Sequence, residues 1–450
     1  MSGLLLTNIR LPDGSGDSLL IEQGRIAAVG RALQAPPQTP RRDGGGLLAL
    51  PAAIDWHVHF REPGGEHKET LWSGSRAAVK GGVATCGDMP NTVPATASLA
   101  ALEDKAERAR GCPATLYFHF GAEPNNLADV REAARHPCVK ALKVFMGPST
   151  GHGGLAPEHV EAHLRNAADA GLPVIVHAED LDLIRAQSGR HPPLAARHGD
   201  LRPLQAELAA VRQALALAAR YPVKLCIAHT TSVQVVEAVM ASGLQDRVFL
   251  EVAAHHLVLA AERIAPPEDN RFKVNPPLRP ESERAALFSR LRSGIDGLGS
   301  DHAPHTLREK ALGYAEAPSG IPGVEYQFSL ALTWWRSGGL DLQRLVDLTS
   351  ANVARFFGLN KGALRPGYDA DVVLVDPGAR WTIGEDGDTV ASRCGWTLYT
   401  GMGMQGRVEV TIAAGRIVWS RADGWSDADR PRLGEVHGAA AHRTEDSCCG

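Results

Sequence analysis

Ile54-Asp55-Trp56-His57-Val58-His59-Phe60-Arg61 follows the apolar run Leu47-Leu48-Ala49-Leu50-Pro51 and reads as a buried strand that ends in polar residues. Side chains two positions apart on a strand leave the same face. His57 and His59 therefore project together, and Arg61 continues their register. Two imidazoles on one face at a strand end are a ready pair of ligands for a first-row metal. The plainer alternative is two ordinary half-buried histidines. The rest of the chain decides between them by supplying, or failing to supply, further ligands.

From Pro51 onward, apolar strands alternate with Ala-rich amphipathic stretches, the pattern of repeated βα units on a parallel sheet. Eight strands are predicted: Ile54–His59, Ala84–Asp88, Thr115–Gly121, Val139–Phe145, Pro173–His177, Lys224–His229, Val248–Val252 and Gly297–Ser300. Helices are predicted over Thr70–Lys80, Leu99–Arg110, Pro157–Ala170, Leu204–Arg220 and Val233–Ala241. Eight such units fit an α/β fold of the (β/α)8 TIM-barrel type, with its active site at the C-terminal strand ends.

Short apolar segments precede the barrel at Leu4–Ile9, Leu19–Ile21, Ile26–Val29 and Leu47–Leu50, and Pro36–Gly46 reads as an exposed loop. Short strands return at Asp371–Val375, Arg407–Ala413 and Arg416–Ser420. They are expected to complete one small β unit from both chain ends. The expected division is residues 1–50 and 361–422 for that unit, 51–360 for the barrel and 423–450 for a disordered tail that includes Cys448 and Cys449.

Composition narrows the function classes. The chain has 450 residues, 44% of them hydrophobic, enough to bury a large core. A net charge of −4 without a Lys/Arg-rich block does not favour nucleic acid or an anionic membrane. Neither a signal peptide nor a membrane-length apolar run is read. Seven scattered cysteines without a C-x-x-C pair suggest a reducing, cytoplasmic setting.

The strand ends carry the chemistry. Strand four holds Lys143, strand five ends in His177, strand six in His229, and strand eight runs into Asp301. A lone strand histidine is more often a satisfied core residue than a ligand. Four histidines, a lysine and an aspartate at one end of separate strands are hard to assemble by chance. A buried ammonium beside metal cations is strongly unfavourable, so Lys143 is expected to be neutral and able to react with CO2. The carbamate formed would be an anion suited to bridging two metals. A lysine paired with an acid at the barrel rim is the duller reading.

Asp55-Trp-His-Val-His-Phe-Arg-Glu-Pro-Gly, Lys80-Gly-Gly-Val-Ala-Thr and Asp88-Met-Pro-Asn-Thr-Val-Pro together resemble the dihydroorotases of the amidohydrolase superfamily. So do His177-Ala-Glu-Asp, Asn275-Pro-Pro-Leu-Arg, Asp301-His-Ala-Pro-His with Glu309-Lys310, and Gly362-Ala-Leu-Arg-Pro-Gly-Tyr-Asp-Ala-Asp. The resemblance runs to about Ser420. It implies a barrel flanked by a β-sandwich, and two zinc ions. His57, His59 and Asp301 would hold one, His177 and His229 the other, and carboxylated Lys143 would bridge them.

The implied reaction is the reversible cyclisation of N-carbamoyl-L-aspartate to L-dihydroorotate in pyrimidine biosynthesis. Two metals about 3.5–4 Å apart would activate a bridging water and polarise the amide carbonyl. Asp301 would act as base and then as acid. Arg61 has the fork to hold the substrate carboxylate bidentately, unless it only pairs with Glu62 or Glu66 at the surface. By resemblance Asn91 and His305 complete that pocket, and Asn275 with the Pro318–Gly323 loop faces the ring amides. His255-His256 stay outside the ligand set, and His302 reads as structural. Gly147–Gly154 is either a mobile shield or a tight loop. An allantoinase or hydantoinase is the nearest alternative, and an inactive partner of aspartate transcarbamoylase is a third. A homodimer is expected from the resemblance.

Overall fold

The computed structural model describes residues 3–385 and 387–426. Eight parallel strands pair in chain order: Ala53–Val58, Val83–Asp88, Thr115–Gly121, Val139–Phe145, Val174–His177, Leu225–Ile227, Val248–Ala253 and Gly297–Gly299. The ends of the first and last strands meet through a parallel bridge from Val58 to His302, and His59 N–H donates to His302 O at 2.8 Å. The sheet thus closes almost completely into the expected barrel. Helices Leu71–Lys80, Leu99–Arg108, Pro157–Asp169, Leu204–Arg220 and Val233–Ser242 fall where the periodicity puts them. Thr70, Ser98 and Ser232 start three of them by accepting from backbone N–H groups of the first turn.

The barrel interior explains how the site is presented. Ile54, Trp56, Ala141, Ile175, Cys226 and Phe249 pack with Val353 and Phe357 into an apolar plug. Two residues further along their strands, Ala141 is followed by Lys143 and Ile175 by His177. Strand parity therefore carries an apolar interior upward into a polar mouth. Strand six stops at Ile227, short of the predicted His229, because His229 has φ +38° and leaves the extended ladder. Strand eight stops at Gly299 just before Ser300, and Asp301 turns out of it at φ +45°.

The chain ends form two sheets beside the barrel. One has the order Arg25–Gly30, Ser18–Glu22, Leu4–Thr7, Arg41–Asp43. The other has the order Gly424–Trp425, Arg416–Ser420, Gly403–Ala413, Val372–Thr382, Leu48–Pro51. Leu6, Ile21 and Ile26 of the first pack against Val372, Leu374 and Ile412 of the second. Leu48–Pro51 pairs antiparallel with Val372–Val375, so an N-terminal strand is built into the C-terminal sheet.

Two expectations are corrected here. Arg41–Asp43, read as part of an exposed loop, is a strand, because pairing in parallel with Leu5–Thr7 satisfies its backbone. Val372–Thr382 runs past the expected end at Val375 and through Pro377 and Gly378, because a register irregularity between Asp376 and Arg380 absorbs them. Of the expected tail, Gly424–Trp425 forms a short strand, while 427–450, with Cys448 and Cys449, lies outside the described residues. No helix among the described residues is long and apolar enough to cross a membrane.

Candidate active site

The C-terminal strand ends enclose a cleft of about 350 Å³, its open mouth included. Its lining brings together His57, His59, Lys143, His177, His229 and Asp301, together with Arg61, Asn91 and Asn275. These residues lie as far apart in sequence as strand one and strand eight.

The first three converge tightly. Asp301 Oδ1 lies 3.2 Å from Nε2 of His57 and 3.2 Å from Nε2 of His59. The opposite nitrogens are held from behind: His57 Nδ1 by Glu251 at 2.7 Å and His59 Nδ1 by Asn91 Oδ1 at 2.6 Å. An acceptor at Nδ1 keeps the proton there and leaves the Nε2 lone pair facing inward, as a metal requires. Burial drives the His59 pKa down to about 3, so that ring is neutral. His57, His59 and Asp301 form a group able to hold a metal ion.

The second cluster adjoins the first, the rings of His57 and His229 lying 5.2 Å apart. His177 Nδ1 and His229 Nε2 are 2.9 Å apart, and His177 Nε2 lies 2.9 Å from Glu179 Oε2. Burial, then the neighbouring His177 and His57, holds His229 well below the usual imidazole range. Burial raises the Glu179 pKa, but Arg202 and His177 outweigh it and keep the carboxylate charged. Lys143 is fully buried, and its Nζ has no hydrogen-bond partner. Burial pulls its pKa down to about 8, so the neutral amine is accessible near neutral pH. A buried amine without a hydrogen-bond partner, lining the same cleft as the imidazoles, has the chemistry to react with CO2.

Backbone strain concentrates here. Arg61 (φ +63°), His229 (φ +38°) and Asp301 (φ +45°) occupy left-handed backbone that non-glycine residues rarely adopt. Local bonds hold them in place. Asp55, with its pKa raised to about 7 by burial, accepts from Ser300 N and His57 N. Asp88 accepts from Phe60 N at 2.7 Å and pairs at 2.5 Å with Lys105, both fully buried.

The wall beside the candidate metal ligands carries Arg61, which is 7% exposed. Its Nε donates to Pro304 O at 3.2 Å, and its Nη2 lies 3.1 Å from His305 Nε2. The surface pairing with Glu62 or Glu66 does not form: Glu62 accepts from Leu71 N and meets Arg108, and Glu66 accepts from Gly64 N. Among the described residues, no carboxylate makes an ion pair with Arg61. His305 is fully buried behind Arg61, off the cleft lining, where Lys68 and Ser319 O also hold it. Asn91 lines the cleft, but its amide is engaged by His59 and, through Nδ2, by Thr150 O at 2.8 Å. Asn275 lines the cleft with its Oδ1 bonded to His198. His302 is structural as read, accepting from Gly323 N at Nδ1.

Ser149 and Thr150 also line the cleft, and Thr150 Oγ1 donates to Ser319 O across its mouth. Glu251, Glu179 and Arg202 were not singled out from sequence. An acid inside the apolar run Val248–Ala253 and a charged residue two positions after His177 were the available signals.

The chain belongs to the amidohydrolase family, whose model matches residues 48–418. Curated relatives narrow the class to dihydroorotases. The Methanosarcina acetivorans dihydroorotase is 35% identical over 95% of this chain and 93% of its own length. The Halobacterium salinarum dihydroorotase is 37% identical over 91% and 94%. Among solved structures, the L-hydantoinase (dihydropyrimidinase) of Arthrobacter aurescens superimposes with a TM-score of 0.87 at 26% identity, covering 95% of this chain and 98% of its own.

Proposed function

We propose that this chain is a dihydroorotase, a cyclic amide hydrolase that interconverts L-dihydroorotate and N-carbamoyl-L-aspartate in pyrimidine biosynthesis. One observation carries the substrate: a buried guanidinium with no carboxylate partner lines the cleft beside the candidate ligand set. A forked cation in that position asks for a carboxylate, which dihydroorotate carries outside its reacting amide.

His57, His59 and Asp301 would hold one zinc ion, His177 and His229 a second, and carboxylated Lys143 would bridge them. Bound there, the metals supply Lewis acidity to the amide carbonyl and acidify the attacking water. Asp301 takes a proton from that water during attack and returns it to the departing ring nitrogen. Arg61 holds the exocyclic carboxylate and so orients the ring. Asn275 faces the ring amide. Asn91 and His305 complete the carboxylate pocket with Arg61, where Asn91 also orients His59 and His305 backs Arg61.

The structural likeness to hydantoinases keeps a hydantoinase-type activity as the second reading. Allantoin and simple hydantoins lack the carboxylate that Arg61 would bind. The full donor set speaks against an inactive partner of aspartate transcarbamoylase. The deciding assay offers dihydroorotate, hydantoin and allantoin side by side. Turnover of dihydroorotate alone is expected, and robust hydrolysis of the others without it overturns the assignment. The free cysteines Cys86, Cys112, Cys138, Cys226 and Cys394 suit a cytoplasmic setting. A homodimer, taken from the resemblance, is checked by light scattering.

A further inference from the structure

The two imidazole clusters are held in different ways. Asn91 and Glu251 reach His59 and His57 directly, without a charged partner of their own among the described residues. His177 is backed instead by a chain of charges. Glu179, fully buried, places Oε2 2.9 Å from His177 Nε2. Arg202 grips that carboxylate with Nε at 3.1 Å from each oxygen and with Nη2 on Oε2. The same Nη2 donates to Pro148 O at 2.6 Å, at the root of the loop that follows Lys143. Arg279 in turn donates to Arg202 O at 2.9 Å. Arg202 is 8% exposed and does not line the cleft.

We propose that Arg202 is a positioning residue for the metal centre, setting the ring of His177 through Glu179 and tying that ring to the root of the 147–154 loop. A neutral imidazole chooses its tautomer by what its outer nitrogen meets. Glu179 Oε2 occupies the Nε2 side of the ring at 2.9 Å, which leaves Nδ1, 2.9 Å from His229 Nε2, on the side of the other candidate ligand. Glu179 holds this position because the planar fork of Arg202 compensates its buried charge. Without the fork, the carboxylate is a buried charge free to turn toward any nearby cation, the metal included.

The link to the loop is equally direct. Met146 N–H donates to His177 O at 3.0 Å, and a Cβ on Gly147 would stand 2.2 Å from Glu179 O. The ends of strands four and five are thus in backbone contact, and Arg202 spans both. Lys143 and His177 sit on those two strands, whose ladder pairs Ile175 with Lys143 and His177 with Phe145, and Arg202 bonds the segments just beyond that ladder.

This inference rests on the metal-centre reading, and the test separates the two. Arg202→Gln and Arg202→Lys are purified from zinc-supplemented cells, and bound zinc per folded chain is measured during titration with a calibrated chelator. Wild-type protein that binds no zinc fails the metal reading itself. With zinc bound in the wild type, the weaker-held ion of Arg202→Gln is expected to dissociate about 10–100-fold more readily, the range for lost support behind a ligand. At subsaturating zinc, kcat for dihydroorotate falls in proportion to the empty fraction, KM stays within about twofold because the Arg61 wall is untouched, and excess zinc restores the rate. Lysine keeps the charge but not the fork, so Arg202→Lys falls between. Wild-type zinc affinity in folded Arg202→Gln overturns the proposal. If the glutamine variant does not fold, wild-type affinity in Arg202→Lys overturns it instead.

Discussion

The floor and the wall of the cleft are adjacent, and both are buried, yet their charges are arranged in opposite ways. On the floor, imidazole nitrogens point inward while Glu251, Asn91 and Glu179 stand behind them, and the Lys143 amine has no partner. On the wall, the Arg61 guanidinium points inward and is backed by Pro304 O and His305. Negative groups behind neutral donors make a place for a cation. A cation backed only by neutral groups makes a place for an anion. The contrast teaches that a buried group left without its usual partner is the more informative part of a site, and that two such groups side by side carry the proposed cofactor and the proposed substrate.

The largest effect expected is on the proton carrier. Asp301→Asn should lower kcat for dihydroorotate by about 10³-fold or more, since general acid–base groups contribute roughly 10²–10⁴-fold and this one also touches the candidate ligands His57 and His59. A loss under tenfold would remove Asp301 from the proton path.

The wall is broken by Arg61→Met, which keeps length and loses charge. kcat/KM for dihydroorotate should fall on the order of 10²–10³-fold, the scale of a lost charge-assisted recognition contact. Hydrolysis of dihydrouracil, which has no carboxylate, should change little. Equal losses on both substrates would show that Arg61 supports the fold and not the substrate.

Asn91→Ala tests where floor ends and wall begins. If Asn91 serves His59, zinc affinity drops about 10–100-fold and added zinc rescues the rate. A rise in KM at full zinc occupancy would move Asn91 onto the wall.

The smallest effect concerns Lys143. CO2 reacts with the neutral amine, and the lowered pKa of about 8 means that this form grows as pH rises toward and past 8. Reactivation of chelator-stripped enzyme by zinc, at constant dissolved CO2, should speed up on the order of tenfold from pH 6.5 to 8, following the fraction of neutral amine. A rate independent of both pH and CO2 would exclude the carbamate.

The candidate ligands were legible because each marks the C-terminal end of a barrel strand. Ala141 to Lys143 and Ile175 to His177 keep parity, so the faces could be read without coordinates. His229 and Asp301 were legible as residue types, but their left-handed backbone was not, since it depends on what grips the turns. Asn91 and His305 were assigned to the substrate pocket by resemblance alone. The structure puts Asn91 on the cleft lining, bonded to His59, and His305 against Arg61.

The order of strands and helices, the inventory of candidate metal-binding side chains and their common end of the barrel were determined by the sequence alone, because hydrophobic periodicity and strand parity are local. Which nitrogen of His57 and of His59 faces the cleft, and which group stands behind it, was decided by tertiary structure. His57 meets Glu251 from 194 positions away, and Arg202 meets Glu179 across another strand-to-helix connection. A hydrogen bond needs its partners placed within about 3 Å and in line, and only the closed barrel sets distances that finely.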